Sequence, residues 1–282
     1  MIRRAAAAAL AAVLLIPRLL EAADPAPPAA QPVFTWDEAG AVALADAKEV
    51  LLAPLHWDGN DWLKFGGAGA AVVATGFALD HWLRDASQRS RTTSRDDVAT
   101  AIQCFGAGCS FAVLGGFAVV GLAAHDREAM NVAVDGVLAS AIAAGIVAPV
   151  SKLVVGRARP NADLGSSHFA PFSGDASFPS GHATQAFAVA SVVAAHDGRL
   201  WVKIVSFGLA GSVGLARIHV DAHWASDVVA GGILGTAVGA GVVAVNERIR
   251  SGRGASSSGG AVVSLVPVLL RRGGGATVAA SF

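Results

Sequence analysis

Lys152-Leu-Val-Val-Gly-Arg157-Ala-Arg159-Pro160 leaves an apolar segment with three cations in eight residues. Lysine supplies a compact, mobile charge, and arginine a planar fork suited to two oxygens of a phosphate. Cations also favour a helix C-terminus without any ligand, so this stretch alone has a purely structural reading. The second stretch is Ser177-Phe-Pro179-Ser180-Gly181-His182, opening another apolar run. A helix start offers free N–H groups, Ser180 a hydroxyl, and Gly181 a close backbone approach for an anion. His182 titrates near neutrality and suits proton transfer. The third stretch is Arg217-Ile-His219-Val-Asp221-Ala-His223-Trp-Ala-Ser-Asp227. His223 and Asp227 are one helical turn apart, a spacing that lets the carboxylate hold one ring nitrogen and free the other for attack.

These side chains can meet only if the apolar segments carrying them fold back on one another. The segments run approximately Phe65 to Leu79, Ala99 to Ala124, Val132 to Val150, Ala183 to Ala195, Trp201 to Ala216 and Val228 to Val245. All are rich in Ala and Gly, which permits close helix packing. The expected fold is all-α, a membrane-embedded bundle of about six core helices. In that bundle the three stretches fall at one end and line a pocket for an anion. The segment Asp80 to Asp97, with Arg84, Arg89, Arg91 and Arg95, reads as an interfacial or solvated helix and loop. Residues 161–180 form a polar loop of the kind that carries chemistry on a helical scaffold.

The chain has 282 residues, 54% hydrophobic and 15% charged, with 21 basic and 21 acidic side chains. Its mean hydropathy of +0.54 points to a membrane protein. Balanced charge without a long basic patch disfavours a nucleic-acid partner. Met1-Ile-Arg-Arg followed by an apolar run to Ile16 has the order of an export signal or N-terminal anchor over 1–23. A Pro/Ala-rich linker over 24–37 and a helix from Asp37 toward Leu52 follow. The helical domain spans 38–248, and 249–282 hold a Gly/Ser linker and a hairpin, with Val262 to Leu270 and Ala276 to Phe282 flanking a turn. Cys104 and Cys109, five apart in an apolar run, are expected to be buried free thiols.

Taken together, the three stretches resemble the type 2 phosphatidic acid phosphatase superfamily, whose pattern is Lys, six residues, Arg-Pro; Pro-Ser-Gly-His; and Ser-Arg, five residues, His, three residues, Asp. The matching positions are Lys152, Arg159, Pro160, Pro179, Ser180, Gly181, His182, Arg217, His223 and Asp227. Ala216 departs from it, standing where the pattern has Ser. The resemblance implies a phosphatase working through a phosphohistidine on His223, with Asp227 orienting the ring and His182 serving as acid and then base. Lys152, Arg159, Ser180, Gly181 and Arg217 would hold the phosphate. No metal or other cofactor is implied. His168 and His219 lie outside the pattern and are expected to be peripheral.

The substrate class implied is a lipid phosphate or pyrophosphate, such as phosphatidate, phosphatidylglycerol phosphate, undecaprenyl pyrophosphate or a lipid A. Three alternatives use the same residues: a soluble exported acid phosphatase for small esters, a haloperoxidase binding vanadate, and a silent lipid-binding protein. The expected location is the bacterial inner membrane with the site facing the periplasm. A leader that carries the chain outward, followed by six crossings, would instead place the site inside. The oligomeric state is open.

Overall fold

The computed structural model describes residues 48–49, 52–250, 262–270 and 273–281. The expected leader, the linker and most of the helix from Asp37 fall outside the described residues. A 3₁₀ turn, Ala53–His56, precedes α1 (Gly59–Arg89), and α2 (Thr93–Gln103) follows it. Then come α3 (Gly108–Ala124), α4 (Arg127–Ile142), α5 (Ala148–Val155), α6 (Gly181–His196), α7 (Leu200–His219) and α8 (Ala225–Arg250). Side-chain caps set three of the starts: Asp58 accepts from the N–H of Asp61, Thr92 from Arg95, and Asp126 from Glu128 and Ala129.

The core lies among α4, α6 and α8, where Val132, Ala139, Ile142, Ala188, Val192, Val238 and Val242 are buried together. A second cluster joins α6 to α7 through Ala186, Ala190, Ala210 and Val213. Glycines set the closeness of these helices. A Cβ at Gly231, Gly235 or Gly239 would come within 2.6, 2.3 and 2.6 Å of the carbonyl oxygens of Ser180, Thr184 and Ala188. This stripe, one glycine per turn of α8, lies against the backbone of α6.

Two helices are broken where the sequence reads as continuous. The apolar run from Ala99 is interrupted at Ala107, whose φ of −147° and ψ of −120° leave the helical region, and α2 and α3 diverge by 52°. The break brings Cys104 and Cys109 to a Cα separation of 5.2 Å, and they form a disulfide. The expectation of buried free thiols is therefore corrected. An unbroken helix would hold residues five apart beyond disulfide reach, and the kink removes that obstacle. Between α4 and α5 a π-helical turn, Ala143–Val147, precedes Pro149, whose ring cannot sit in a regular helical turn.

The mixed-charge stretch is largely helix, with α1 continuing to Arg89. Arg84 is no simple surface charge, because its guanidinium donates to Asp221 at 2.8 Å and Asp163 at 2.7 Å.

Four helical stretches are long and apolar enough to cross a bilayer: Gly59–Arg89, Arg127–Val155, Leu200–His219 and Ala225–Arg250. The bent pair Thr93–Gly106 and Gly108–Ala124 passes the same test as one span. The outward faces carry Phe77, Trp82, Val119, Leu122, Ile204 and Leu215, each more than half exposed. So large an apolar surface requires an apolar solvent, and the chain is a membrane protein.

The end of α8 from Asn246 and the tail form a second compact unit. In it β1 (Val262–Leu270) and β2 (Gly273–Ser281) pair antiparallel, from Val262 opposite Ser281 to Leu270 opposite Gly273. The expected hairpin is present, but Gly273, Gly274 and Gly275 pair within β2 instead of forming its turn.

Candidate active site

The three motif stretches meet at one end of the helices, where residues 156–180 connect α5 to α6 and residues 220–224 connect α7 to α8. Ser180 caps α6, accepting from the N–H of Ala183 at 3.4 Å, while its own N–H donates to the carbonyl of Asp227 at 2.9 Å. That backbone bond ties the start of α6 to the first turn of α8. Lys152, in the last turn of α5, reaches across to donate to the carbonyls of Ala176 and Pro179 at 2.6 and 2.7 Å. A Cβ at Gly181 would meet only the Lys152 side chain, at 3.8 Å, so the glycine keeps open space beside the ammonium group.

Arg217 lies in the last turn of α7 and donates through Nη1 to Gln103 at the end of α2. Its Nε is buried without a hydrogen-bond partner. Arg159 is exposed and has no carboxylate partner among the described residues. The cations expected to hold phosphate are thus left unneutralised, and such groups are competent to bind an anion.

His223 is buried, with its Nδ1 3.7 Å from Asp227 Oδ2 and no hydrogen-bond partner among the described residues. The spacing is a contact and not yet a hydrogen bond. It fixes which nitrogen faces the carboxylate and leaves Nε2 as the nitrogen available to a substrate. Burial pushes the His223 imidazole below its ordinary value, against the opposing pull of Asp227. His182 is pushed down to about 4 by burial, with the positive charge of Arg217, the neighbouring His223, Lys152 and Arg159 adding to it. These charge contacts place His182, His223, Lys152, Arg159 and Arg217 around one volume.

The residues around Asp227 were not assigned by sequence. Its Oδ2 accepts from Ser177 Oγ at 2.5 Å and the N–H of Trp224 at 2.9 Å, and Oδ1 accepts from Arg157 Nη1 at 2.6 Å. Arg157 appeared in the first basic stretch without a role. It is buried and also donates to Asp80 on α1 at 2.7 Å. Gln103 and Asp80 bear no local signal, because each meets its partner across 114 and 77 residues of chain. His168 is half-exposed, 4.0 Å from Asp175, and His219 bonds Asp96 at 3.0 Å, so both stand beside the cluster.

The PAP2 superfamily model matches residues 135–251. A lipid A 1-phosphatase of Rhizobium johnstonii is 40% identical over 92 residues, which cover 31% of this chain and 37% of that protein. A lipid A 1-phosphatase of Porphyromonas gingivalis is 32% identical over 108 residues, 38% of this chain and 22% of that protein. The chain thus matches well under half the length of these curated relatives. Among solved structures, that of Aquifex aeolicus LpxE aligns with a TM-score of 0.46 at 22% identity, covering 59% of this chain and 96% of that one. The first transmembrane PAP2 type phosphatidylglycerolphosphate phosphatase from Bacillus subtilis aligns at 0.44 and 21%, covering 76% and 96%. The matched region contains all three motif stretches, from Lys152 through His182 to Asp227, and over that region the chain is similar to the PAP2 superfamily.

Proposed function

We propose that the protein is a membrane phosphatase that hydrolyses the phosphate ester or pyrophosphate of a lipid through a phosphohistidine on His223. One observation carries the reading: the Lys152 side chain lies beside Gly181, and the same glycine lines a largely apolar groove of about 460 Å³ with Gly106, Phe111, Val137, Ala144 and Gln185. A phosphate held by the cations would thus have its leaving group beside an apolar surface, which suits a hydrocarbon chain. The lipid A 1-phosphatases among the relatives support a lipid phosphate as substrate.

In the first step Nε2 of His223 donates its lone pair to phosphorus. The bond to the leaving oxygen breaks, and His182 gives that oxygen a proton. In the second step His182 takes a proton from water as the water oxygen bonds to phosphorus. The P–N bond breaks, returning its electron pair to Nε2 and releasing inorganic phosphate. Lys152, Arg159, Arg217 and the N–H groups at the start of α6 stabilise the negative charge on the phosphoryl oxygens. Asp227 offsets the positive charge on the His223 ring.

The disulfide supports a site facing the oxidising side of the membrane. Its loop contains Gly106, where a Cβ would lie 2.6 Å from the carbonyl of His182, so the bridge sits at the site end of the bundle. Disulfides persist in the periplasm and not in the cytosol. Gly59 is about 30 Å along α1 from Asp80, so a site on the periplasmic side would put the start of α1 at the opposite, cytosolic face. That orientation conflicts with a leader that carries the chain outward directly ahead of α1.

The deciding experiment is phosphate release by purified protein in EDTA from p-nitrophenyl phosphate, phosphatidate, phosphatidylglycerol phosphate, undecaprenyl pyrophosphate and lipid A, with His223→Ala alongside. Release from lipids alone, abolished in the variant, is expected. Equal turnover of the small ester would favour a broad-specificity phosphatase, and undiminished turnover by the variant would remove His223 as nucleophile.

A further inference from the structure

Of the 31 residues of α1, Asp80 alone is buried. A lone carboxylate taken out of water is costly unless its oxygens are bonded, and here both are. Oδ1 accepts from the N–H of Ser226 at 2.8 Å, and Oδ2 accepts from Ser226 Oγ at 2.8 Å and Arg157 Nη2 at 2.7 Å. Arg157 carries the connection onward. Its Nη1 donates to Asp227 Oδ1 and to Ser226 Oγ at 2.7 Å, and its Nε and Nη2 donate to the carbonyl of Ser166 at 2.9 and 2.6 Å. The guanidinium is also stacked 5.6 Å from Trp224 and 5.4 Å from Phe169. Every nitrogen of the fork is used, and none is left for a phosphate.

We infer that Asp80 and Arg157 are positioning residues for the nucleophile, fixing the orientation of Asp227 and the net charge behind His223. The inference rests on the proposed attack by His223. Its geometric half follows from Asp227 itself: Arg157 holds Oδ1 while Ser177 and the Trp224 N–H hold Oδ2, leaving the carboxylate no rotation away from the ring. Its electrostatic half follows from counting. Asp80, Arg157 and Asp227 together carry one net negative charge, which complements the one positive charge that the imidazole acquires when it bonds phosphorus. With Arg157 and Asp227 alone the sum would be zero, and the nucleophile would gain its charge uncompensated in a buried site.

The other charged groups facing His223 are Lys152 from α5, Arg217 from α7 and His182 from α6, all of which oppose a positive ring. Asp80 thus adds to the smaller side of the balance. Its contribution comes from a helix that bears none of the residues in the three motif stretches.

The test is the pH dependence of kcat/KM for wild type, Asp80→Asn, Arg157→Gln, the double variant and Arg157→Lys, on the lipid turned over fastest. The neutral His223 ring attacks, so activity falls on the acid side as the ring protonates. Removing the Asp80 charge favours the neutral ring, and the acid limb should move to lower pH by roughly half a unit to one unit. Removing the Arg157 charge favours the imidazolium, and the limb should move the opposite way. The double variant restores one net negative charge and should bring the limb back to near the wild-type position. Turnover should fall by about tenfold or more in both single variants, with KM within about threefold, because the interaction acts on the nucleophile and not on bound substrate. Arg157→Lys should keep the limb in place and lose turnover, since it keeps charge without the fork.

Limbs that stay in place in both charge-changing single variants, or move in the same direction, would overturn the inference. Should a single variant fail to fold, the double and lysine variants decide it: limbs near wild type with reduced kcat support it, and a displaced limb or full kcat overturns it. His223→Ala separates the two levels, since activity in that variant defeats the nucleophile itself. Inactivity there combined with unmoved limbs defeats only the role of Asp80 and Arg157.

Discussion

Arg217 enters the site with one nitrogen committed to Gln103 and another buried without a partner, and His182 beside it is held down to about 4. Burial accounts for most of the His182 shift, and the neighbouring cations that add to it, with the unpartnered Arg217 nitrogen, describe a site short of negative charge. In the proposed reaction a bound phosphate would supply that charge and raise His182 toward its ordinary 6.5, giving the ring a proton to donate. Binding of inorganic phosphate near pH 5 should therefore take up a fraction of a proton per site, about pH 5 lying between the free and bound values. Calorimetry in buffers of different ionisation heat measures this uptake, and its absence in His182→Gln would assign it. The candidate side chains stood out in the sequence because their types and spacing suggest a phosphate clamp, a proton carrier and a His–Asp pair, while their roles came from the family resemblance. Arg157 was visible only as one more cation. Its bond to Asp80 joins residues 77 apart in sequence, and Asp80 carries no local mark.

At the scale of elements, the apolar runs located the helices, because burial and length constrain them strongly. The kink at Ala107 was not legible, since an Ala/Gly-rich run contains no proline or capping residue to announce it, and with it went the disulfide. The start of α1 was likewise placed late, because Asp58 caps a turn ahead of the apolar run. The glycine stripe on α8 was read as close packing, which it is. Its contact with α6 also fixes Ser180 relative to Asp227, joining two parts of the site through the backbone. Gly235→Ala would press a methyl to 2.3 Å from the Thr184 carbonyl, and α8 would have to move away. A loss of about 1–3 kcal/mol is expected, read as a lowered melting temperature in detergent, together with reduced turnover. A variant as stable as wild type would show that the two helices have room to separate.

The molecule as a whole is asymmetric along its helices, with the uncompensated cations at one end and a different polar arrangement at the other. There His196, at the end of α6, bonds Glu128 at 2.6 Å and Asp135 at 2.8 Å, joining α6 to α4. Burial acts against its protonation, but the two carboxylates prevail and hold the imidazole above its ordinary value. A raised histidine contributes stability that is complete below the unfolded value of 6.5 and is lost as pH rises through the folded value. Thermal melts in detergent should therefore show stability declining as pH rises above 6.5, with the slope reduced in His196→Gln. An unchanged slope would mean that the clamp does not titrate there.

The apolar exterior was legible from composition, whereas the way α1 is attached was not. Most of that helix faces outward, and its ties to the rest run through Asp80, Arg84, Ser87 and Gln88, which bond Arg157, Asp221, His219 and Ser226. Polar fastenings strengthen in a hydrocarbon surrounding and weaken where water enters. If Asp80 balances the charge of the nucleophile as inferred, residues 135–251, the stretch that the family model matches, would not make a self-sufficient catalyst. Transplanted into another scaffold, or solubilised so that α1 is wetted and drifts off, they would keep every motif side chain and leave Asp227 without the anionic ally that the inference assigns to it.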